Sequence, residues 1–491
     1  MNKPIFEKRW EARHPVYRPE AVIRAYVHFS KIAANECKNM LMSARNSVVT
    51  TYFDSKEMEK ASVIGRNFIM KDLTKRTYIK QGVKAGLSLV KIAEKLRGYD
   101  LEKTDNKKLY SLYSEYFRGL TLLFSYYNLS RPDYVASVAV LINKELEKIS
   151  DLKQAEQVKN VLLTPEDNSD LKKLDTEILN LSEKIKKMDR SSIDIKNNLY
   201  LNKAIDNLIT RFSWISTQEN NPPLDREYFY KRLKEMVKST TPSGNNIRAK
   251  KTYFIKKYKL HKRLVLLTEY MASLAQLRLE LRLNWTKAGF YILPLFKELN
   301  IRLGFVNKKN GNFYYSEYLL EEEIKAALGK RQLINSIVVK KRIKRYLLLM
   351  INRRIKFYAG KDCDRMEKVY VRDKNLGSKT EVTGLVANPG KIKGKAWVIS
   401  PGTDQMKKAG LMKKGYILIA AMTRPQFMDA IAKASAIVTD EGGMTCHAAI
   451  VSREFNKPCI VGTKHATQIF KDGDLIEVDT KNSIVRKITV K

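Results

Sequence analysis

TDEGGMTCHAAIVSRE, residues 439–454, is the most informative segment of this 491-residue chain. The β-branched run Ala436–Val438 leads into it, two adjacent glycines follow, and the apolar spacing after His447 predicts a helix. Gly442 and Gly443 permit positive φ angles and let backbone N–H groups approach a ligand closely. The free N–H groups at the start of the helix favour an anion such as a phosphoryl group. The segment therefore predicts a phosphate site at a strand–loop–helix junction.

His447 is the candidate nucleophile of this site. A neutral imidazole is nucleophilic near neutral pH, and the labile P–N bond that it forms suits a group that passes phosphate on. The hydroxyl of Thr445 is placed to hold one ring nitrogen and leave the other free. A single histidine after a Gly-Gly loop is, however, more commonly a residue at a helix start. Cys446 next to it is expected to serve packing rather than chemistry.

The sequence around this segment predicts a small α/β domain over residues 381–491. Glycine becomes frequent after about residue 380, and β-branched runs alternate with helical patterns. Strands are predicted at Val382–Ala387, Lys395–Ile399, Tyr416–Ala420, Ala436–Val438, Pro458–Val461 and Leu475–Val478, and helices at Pro425–Lys433 and His447–Phe455.

These segments resemble a known family. The run at 439–454 with PCIVGT at 458–463 is similar to the swivelling phosphohistidine domain of phosphoenolpyruvate synthase. It is similar, a little less closely, to that of pyruvate phosphate dikinase, enzyme I of the sugar phosphotransferase system and rifampin phosphotransferase. GLVANPG at 384–390 and AMTRP at 421–425 extend the resemblance, whereas Gln426 stands where the family usually has an aspartate.

The resemblance implies a role for each site residue. His447 would carry the phosphoryl group and Thr445 would orient it. The phosphate loop would consist of Gly442, Gly443 and Met444. The supporting residues would be Thr423, Arg424, Arg453 and Glu454. No metal ligand is expected.

The remainder of the chain is predicted to be a large, mostly α-helical N-terminal region. Glycine is sparse from about residue 18 to about 360, and apolar residues recur at three and four positions. Residues 171–188 follow a heptad spacing, which predicts either a helical arm or short coiled coil at about 168–190 or one amphipathic helix on a larger core. We expect a helical region at 1–220, a helical middle domain at 221–372 and a linker at 373–380. The helical region resembles, more loosely, the middle part of synthase-like and rifampin-phosphotransferase-like proteins, at residues 212–215, 277–282, 313–315 and 321–323.

Composition limits the function classes. The formal charge of +40 favours anionic partners, namely nucleic acid, nucleotides, acidic lipid surfaces or an acidic protein. Four cysteines without disulfide or zinc spacing indicate a reducing, cytoplasmic compartment. Apolar runs are too short to span a bilayer, and the N-terminus lacks a secretory pattern, so no membrane partner is expected.

The sequence thus predicts an enzyme, a phosphotransferase component. ATP and Mg²⁺ would act through a separate ATP-grasp-type subunit, since the resemblance does not extend to an ATP-grasp domain, and no cofactor would be tightly bound. The acceptor would be a small molecule. The alternative is a non-catalytic basic helical protein that binds nucleic acid or an acidic partner, with a vestigial or regulatory histidine domain. No nucleic-acid-reading motif supports that alternative.

Overall fold

The computed structural model describes residues 4–149, 151–166, 168–187, 198–217, 222–238, 246–371, 379–400, 405–423, 427–443 and 446–488. Helices make up 56% of the structure. The helices are α1 Tyr17–His28, α2 Ser55–Glu59, α3 Ala61–Asp72, α4 Thr77–Leu96, α5 Asn106–Ser125, α6 Pro132–Leu146, α7 Leu152–Leu163, α8 Asp170–Lys187, α9 Leu199–Phe212, α10 Arg226–Lys238, α11 Ile247–Lys257, α12 Lys262–Tyr291, α13 Leu293–Arg302, α14 Glu321–Lys330, α15 Ser336–Lys344, α16 Asp362–Tyr370, α17 Gln405–Gly410, α18 Met428–Lys433, α19 His447–Glu454 and α20 Ala466–Ile469. The strands are β1 Phe6–Arg13, β2 Met40–Arg45, β3 Val48–Asp54, β4 Lys309–Asn310, β5 Phe313–Tyr314, β6 Arg345–Ile351, β7 Arg354–Ala359, β8 Glu381–Thr383, β9 Leu385–Asn388, β10 Lys391–Ile399, β11 Ile417–Ala420, β12 Ala436–Thr439, β13 Cys459–Val461, β14 Leu475–Asp479 and β15 Ile484–Lys487.

The N-terminal region contains a five-stranded antiparallel sheet that the helical prediction missed. Its strand order is β1-β3-β2-β6-β7, and Leu41 of β2 lies opposite Leu349 of β6. Residues 346–350 are buried without alternation because both faces of β6 are covered. A continuous apolar run of this kind cannot be told from a buried helix by periodicity.

This sheet and the helices α4 and α12 form one core. Gly82 of α4 lies so close to α12 that an added Cβ would stand 2.9 Å from the side chain of Leu277. At the next turn, a Cβ on Gly86 would meet the Asn284 amide at 2.5 Å. The two helices can approach this closely because glycine leaves the interface open. Residues before and after position 220 thus share a core, whereas the sequence prediction placed a boundary there.

A second, smaller core lies between α8, α9 and α10. Leu174, Ile178, Leu181 and Ile185 are buried against residues of the other two helices, among them Phe229. The apolar stripe of α8 therefore packs in a small core that it shares with α9 and α10, and both alternatives for this segment stay predictions. Position 188, the last of the predicted heptad run, lies outside the described residues.

The C-terminal part is an eight-stranded mixed sheet of order β8-β15-β14-β10-β11-β12-β13-β9. Strands β10 to β13 run parallel, and helices α17, α18 and α19 pack on one face of the sheet. The single strand predicted at Val382–Ala387 is instead two short strands, which lie at opposite ends of the sheet and are separated by Gly384. Most of the predicted linker, residues 373–378, lies outside the described residues.

Candidate functional site

The site lies at the carboxyl edge of the parallel strands β11, β12 and β13. Backbone hydrogen bonds tie the loops there together: Asp440 N–H donates to Ala420 O at 3.1 Å, and Thr463 N–H donates to Thr439 O at 3.0 Å. In open α/β sheets, ligands bind outside the carboxyl ends of the strands. The loop after β11 brings Thr423 to this edge, and the loop after β12 leads into α19.

His447 is the first residue of α19 and contacts Thr423. The Thr423 hydroxyl oxygen lies 2.9 Å from the Nδ1 atom of His447, and the Thr423 side chain is buried. When Nδ1 carries the ring proton it donates to this hydroxyl, and the lone pair of the neutral imidazole is then on Nε2. In that tautomer, Nε2 is the ring nitrogen available as a nucleophile.

The surroundings of His447 keep its ring neutral. Burial, together with the positive charge of Arg282, lowers the pKa of His447 to about 3. The ordinary value is about 6.5. At neutral pH the imidazole is thus uncharged, and one of its nitrogens has the free lone pair that a nucleophile requires.

Buried hydrogen bonds hold the loop between β12 and α19 in place. The carboxylate of Asp440 accepts a hydrogen bond from the Thr467 backbone N–H at 3.1 Å and one from the Thr463 hydroxyl at 3.2 Å. The Thr467 hydroxyl donates to the same carboxylate. Because these donors satisfy a nearly inaccessible carboxylate, they make the loop rigid where the glycines begin.

The two glycines of the loop differ in backbone conformation and in surroundings. Gly442 has a φ of 111°, and a Cβ added to it would stand 2.7 Å from the Cys446 sulfur, so the position requires glycine. Gly443 does not have a positive φ. A Cβ there would stand 3.4 Å from the ring of Pro132, the first residue of α6. Gly443 thus faces the helical region.

Cys446 caps the helix that carries the histidine. Its sulfur accepts a hydrogen bond from the backbone N–H of Ala449 at 3.4 Å. Burial raises the pKa of the Cys446 thiol, so the thiol stays protonated. A capping and packing role, as the sequence analysis expected, accounts for both observations.

Helix α12 of the helical region contributes positive charge to the site. The charge of Arg282 acts on the imidazole of His447, and the charge of Arg278, one turn earlier, acts on Cys446. The Arg278 guanidinium also stacks over the ring of Tyr127, with its centre 4.7 Å from the ring centroid. Sequence reasoning assigned neither arginine a role, because 165 positions separate Arg282 from His447 and no spacing rule connects them.

Polar contacts between described residues join the C-terminal sheet domain to the helical region. The backbone N–H of Glu11 in β1 donates to the Glu441 carboxylate at 3.1 Å. The Lys231 ammonium of α10 lies 3.2 Å from the Asp429 carboxylate of α18. Between the two regions lies a cleft of about 1340 Å³, and His447 is part of its wall.

The other predicted site residues divide into two groups. Arg453 is part of the cleft wall, and its Nε donates to the backbone oxygen of Ala387 at 3.2 Å, while Glu454 is exposed at the cleft. Burial lowers the pKa of Arg453. Arg424, Met444 and Thr445 lie outside the described residues, so their predicted roles remain predictions.

The described residues bring together no group of three or more histidine, cysteine, aspartate or glutamate side chains that could hold a metal ion. Among the same residues, no helix is long and apolar enough to cross a membrane.

Known proteins resemble the C-terminal part of the chain. Residues 412–483 match the family described as "PEP-utilising enzyme, mobile domain". A probable phosphoenolpyruvate synthase of Archaeoglobus fulgidus is 50% identical over 102 residues, which are 21% of this chain and 13% of that protein. The phosphoenolpyruvate synthase of Pyrococcus furiosus is 47% identical over 108 residues, which are 22% of this chain and 13% of that protein.

The matched segments are short compared with the chain. "Chondramide synthase cmdD" of Chondromyces crocatus is 41% identical over 105 residues, 21% of this chain and 3% of that protein. The chain thus spans a small fraction of the curated relatives it matches. A solved structure, that of a UPF0107 protein, aligns with 22% of the chain at 16% identity and a TM-score of 0.18. The segment that holds the Thr423–His447 pair is a PEP-utilising enzyme mobile domain.

Proposed function

We propose that this protein is a phosphotransferase component that carries a phosphoryl group on His447. The observation that supports this most directly is the 2.9 Å contact between the Thr423 hydroxyl and Nδ1 of His447, within a matched mobile domain. The lowered pKa of His447 supports the same role, because it keeps the lone pair available at neutral pH. The relatives named phosphoenolpyruvate synthase fit a phosphohistidine intermediate, but their similarity covers only 21–22% of this chain.

The first chemical step would be displacement at phosphorus by Nε2. A P–N bond forms as the P–O bond of the phosphoryl donor breaks, and the electron pair leaves with the donor oxygen. The ring becomes positively charged in this step, and the Nδ1 proton stays hydrogen-bonded to Thr423, whose oxygen stabilises that charge. In the second step an acceptor oxygen takes the phosphoryl group, and His447 returns to its neutral form.

The phosphoryl donor and acceptor belong to the proposal as well. ATP with Mg²⁺ would be bound by a separate ATP-grasp-type subunit that phosphorylates His447. The acceptor would be a small molecule in a synthase-like or rifampin-phosphotransferase-like reaction. In the docked arrangement the charge of Arg282 would favour the dianionic phosphoryl group on His447.

Movement of the mobile domain would connect the two steps. Because His447 faces the cleft in the docked arrangement, a phosphoryl donor on another polypeptide would need the domain to move away. One of the polar contacts between the regions, the ion pair Lys231–Asp429, is exposed. An exposed ion pair is worth less than about 1 kcal/mol, so it does not oppose such movement strongly.

Labelling of the purified chain tests the proposal. The chain, alone and with the products of neighbouring genes, is incubated with ATP labelled at the β or the γ phosphate and with labelled phosphoenolpyruvate. We expect an acid-labile, alkali-stable label that His447→Ala abolishes. Transfer from the β position would indicate dikinase-type chemistry, and transfer from the γ position would indicate simple kinase chemistry.

His465→Ala is the matched control, because His465 lies in the same domain but at the start of α20. Its label should equal that of the wild type. Label that persists in His447→Ala would overturn the proposal. Absence of label under every condition would favour the binding-protein alternative, in which the histidine loop serves the fold.

A further inference from the structure

Helix α15 and the loop before it form an exposed surface that is both apolar and basic. We call it the α15 surface; it consists of Val306, Leu333, Ile337, Val338, Lys308, Arg331, Lys340, Lys341 and Lys344. Its parts are adjacent: Ile334 N–H donates to Leu303 O at 3.1 Å, and a Cβ on Gly304 would touch Leu333 at 3.4 Å. The surface is therefore one patch rather than separate positions.

The apolar side chains of this patch are unusually open to solvent. Leu333 is 69% exposed, Val306 58% and Ile337 55%. The exposed large apolar side chains of the described residues number fifteen, and five of them lie between residues 301 and 338. Such a concentration marks an interaction site more often than single exposed residues do.

The charges of the patch have one sign. Residues 299–316 and 324–361 hold 15 lysines and arginines and no aspartate or glutamate. Ile337, Lys340, Lys341 and Lys344 recur at the spacing of one helix face, opposite the buried Val339. Among the residues that the structure describes, no ion pair involves the five basic residues of the patch. Their charge is thus directed at the solvent.

We infer that the α15 surface binds an anionic lipid surface, with Leu333 and Ile337 inserted at the level of the headgroups and the lysines around them. Lysines beside exposed aliphatic side chains are the composition of interfacial elements. Protein–protein interfaces are instead depleted of lysine and enriched in aromatic residues and arginine, and single-stranded nucleic acid would need exposed aromatic rings for stacking. The sequence analysis expected no membrane partner because it found no spanning segment, which surface binding does not require.

Vesicle binding tests this inference on the full chain. Flotation is measured with vesicles of pure phosphatidylcholine and with vesicles that contain one third phosphatidylglycerol. We expect binding to the anionic vesicles alone, weakened by salt. The triple variant Lys340→Gln, Lys341→Gln, Lys344→Gln should weaken it on the order of 100-fold. Leu333→Ser should also weaken it at unchanged charge.

The matched control removes three charges from another exposed helix face: Lys80→Gln, Lys84→Gln, Lys91→Gln in α4. We expect this variant to bind almost as the wild type does, and circular dichroism should show both triple variants folded. An equal loss in both triple variants would overturn the inference, since binding would then follow the overall charge. Absence of binding to anionic vesicles would also overturn it. The inference would also be overturned if the chain bound duplex DNA more tightly than anionic vesicles and the Lys340→Gln, Lys341→Gln, Lys344→Gln variant lost that DNA binding.

Discussion

The Thr423–His447 contact makes the substitution Thr423→Val the most direct probe of the site. Valine keeps the shape of threonine and removes the hydroxyl that lies 2.9 Å from Nδ1. The ring nitrogen then has no partner at a position where the Thr423 side chain is buried. A buried polar group left without its partner costs about 1–3 kcal/mol, and in the phosphorylation transition state this corresponds to a rate about 5- to 150-fold lower.

Single-turnover labelling of the chain by its phosphoryl donor measures this rate. Thr423→Ser keeps the hydroxyl and should recover most of the rate, which separates the hydrogen bond from general damage. Nitrogen-15 spectra of the imidazole provide a second readout, because loss of the Thr423 contact should change the ratio of the two neutral tautomers.

Labelling of Thr423→Val at the wild-type rate, with an unchanged imidazole spectrum, would refute the reasoning. It would show that another group orients the ring, and Thr445 would be the first candidate.

Three further predictions follow from the site. Because the pKa of His447 in the folded protein is about 3, the labelling rate should stay level as the pH falls from about 7 to about 5, and a decline centred near 6.5 would contradict this. In the unfolded chain His447 takes up a proton as the pH drops below about 6.5. Thermal melts should therefore show the free energy of unfolding falling below that pH. Arg282→Gln removes a nearby positive charge, so an NMR titration should place the pKa of His447 higher than in the wild type. Gly442→Ala, at a φ of 111° and with 2.7 Å to the Cys446 sulfur, should lower the free energy of unfolding by about 1–3 kcal/mol in denaturant titrations, whereas Gly443→Ala should cost less.

The sequence allowed the mobile domain to be predicted closely because its signals are local. The strand before residue 439, the glycine loop and the helix from His447 are contiguous, and the structure has a strand at Ala436–Thr439 and a helix at His447–Glu454. The error at Val382–Ala387 has a physical cause at Gly384. A Cβ there would stand 2.6 Å from the backbone oxygen of Val461, so glycine lets the chain pass this close to β13 between β8 and β9.

The N-terminal sheet could not be predicted because its pairings are long-range. β2 ends at Arg45, and its partner β6 begins at Arg345, so no local pattern indicates the contact. β1, with the sequence FEKRWEAR, carries too many charges to be recognised as a strand. The contribution of Arg282 to the site was beyond sequence reasoning for the same reason, since it depends on how two parts of the chain pack.

Strand β1 brings the attachment point and the docking contact of the mobile domain close together. Val371, where the helical region ends, forms a bridge with Phe6 at the start of β1, and Glu11 on the same strand contacts Glu441. Five residues of strand separate Phe6 from Glu11, or roughly 17 Å. Ten residues lead from Val371 to Glu381, so a released domain would stay within about 36 Å of its point of attachment. Its effective concentration at the docking surface would then be in the millimolar range, so dilution of the protein would not change the docked fraction.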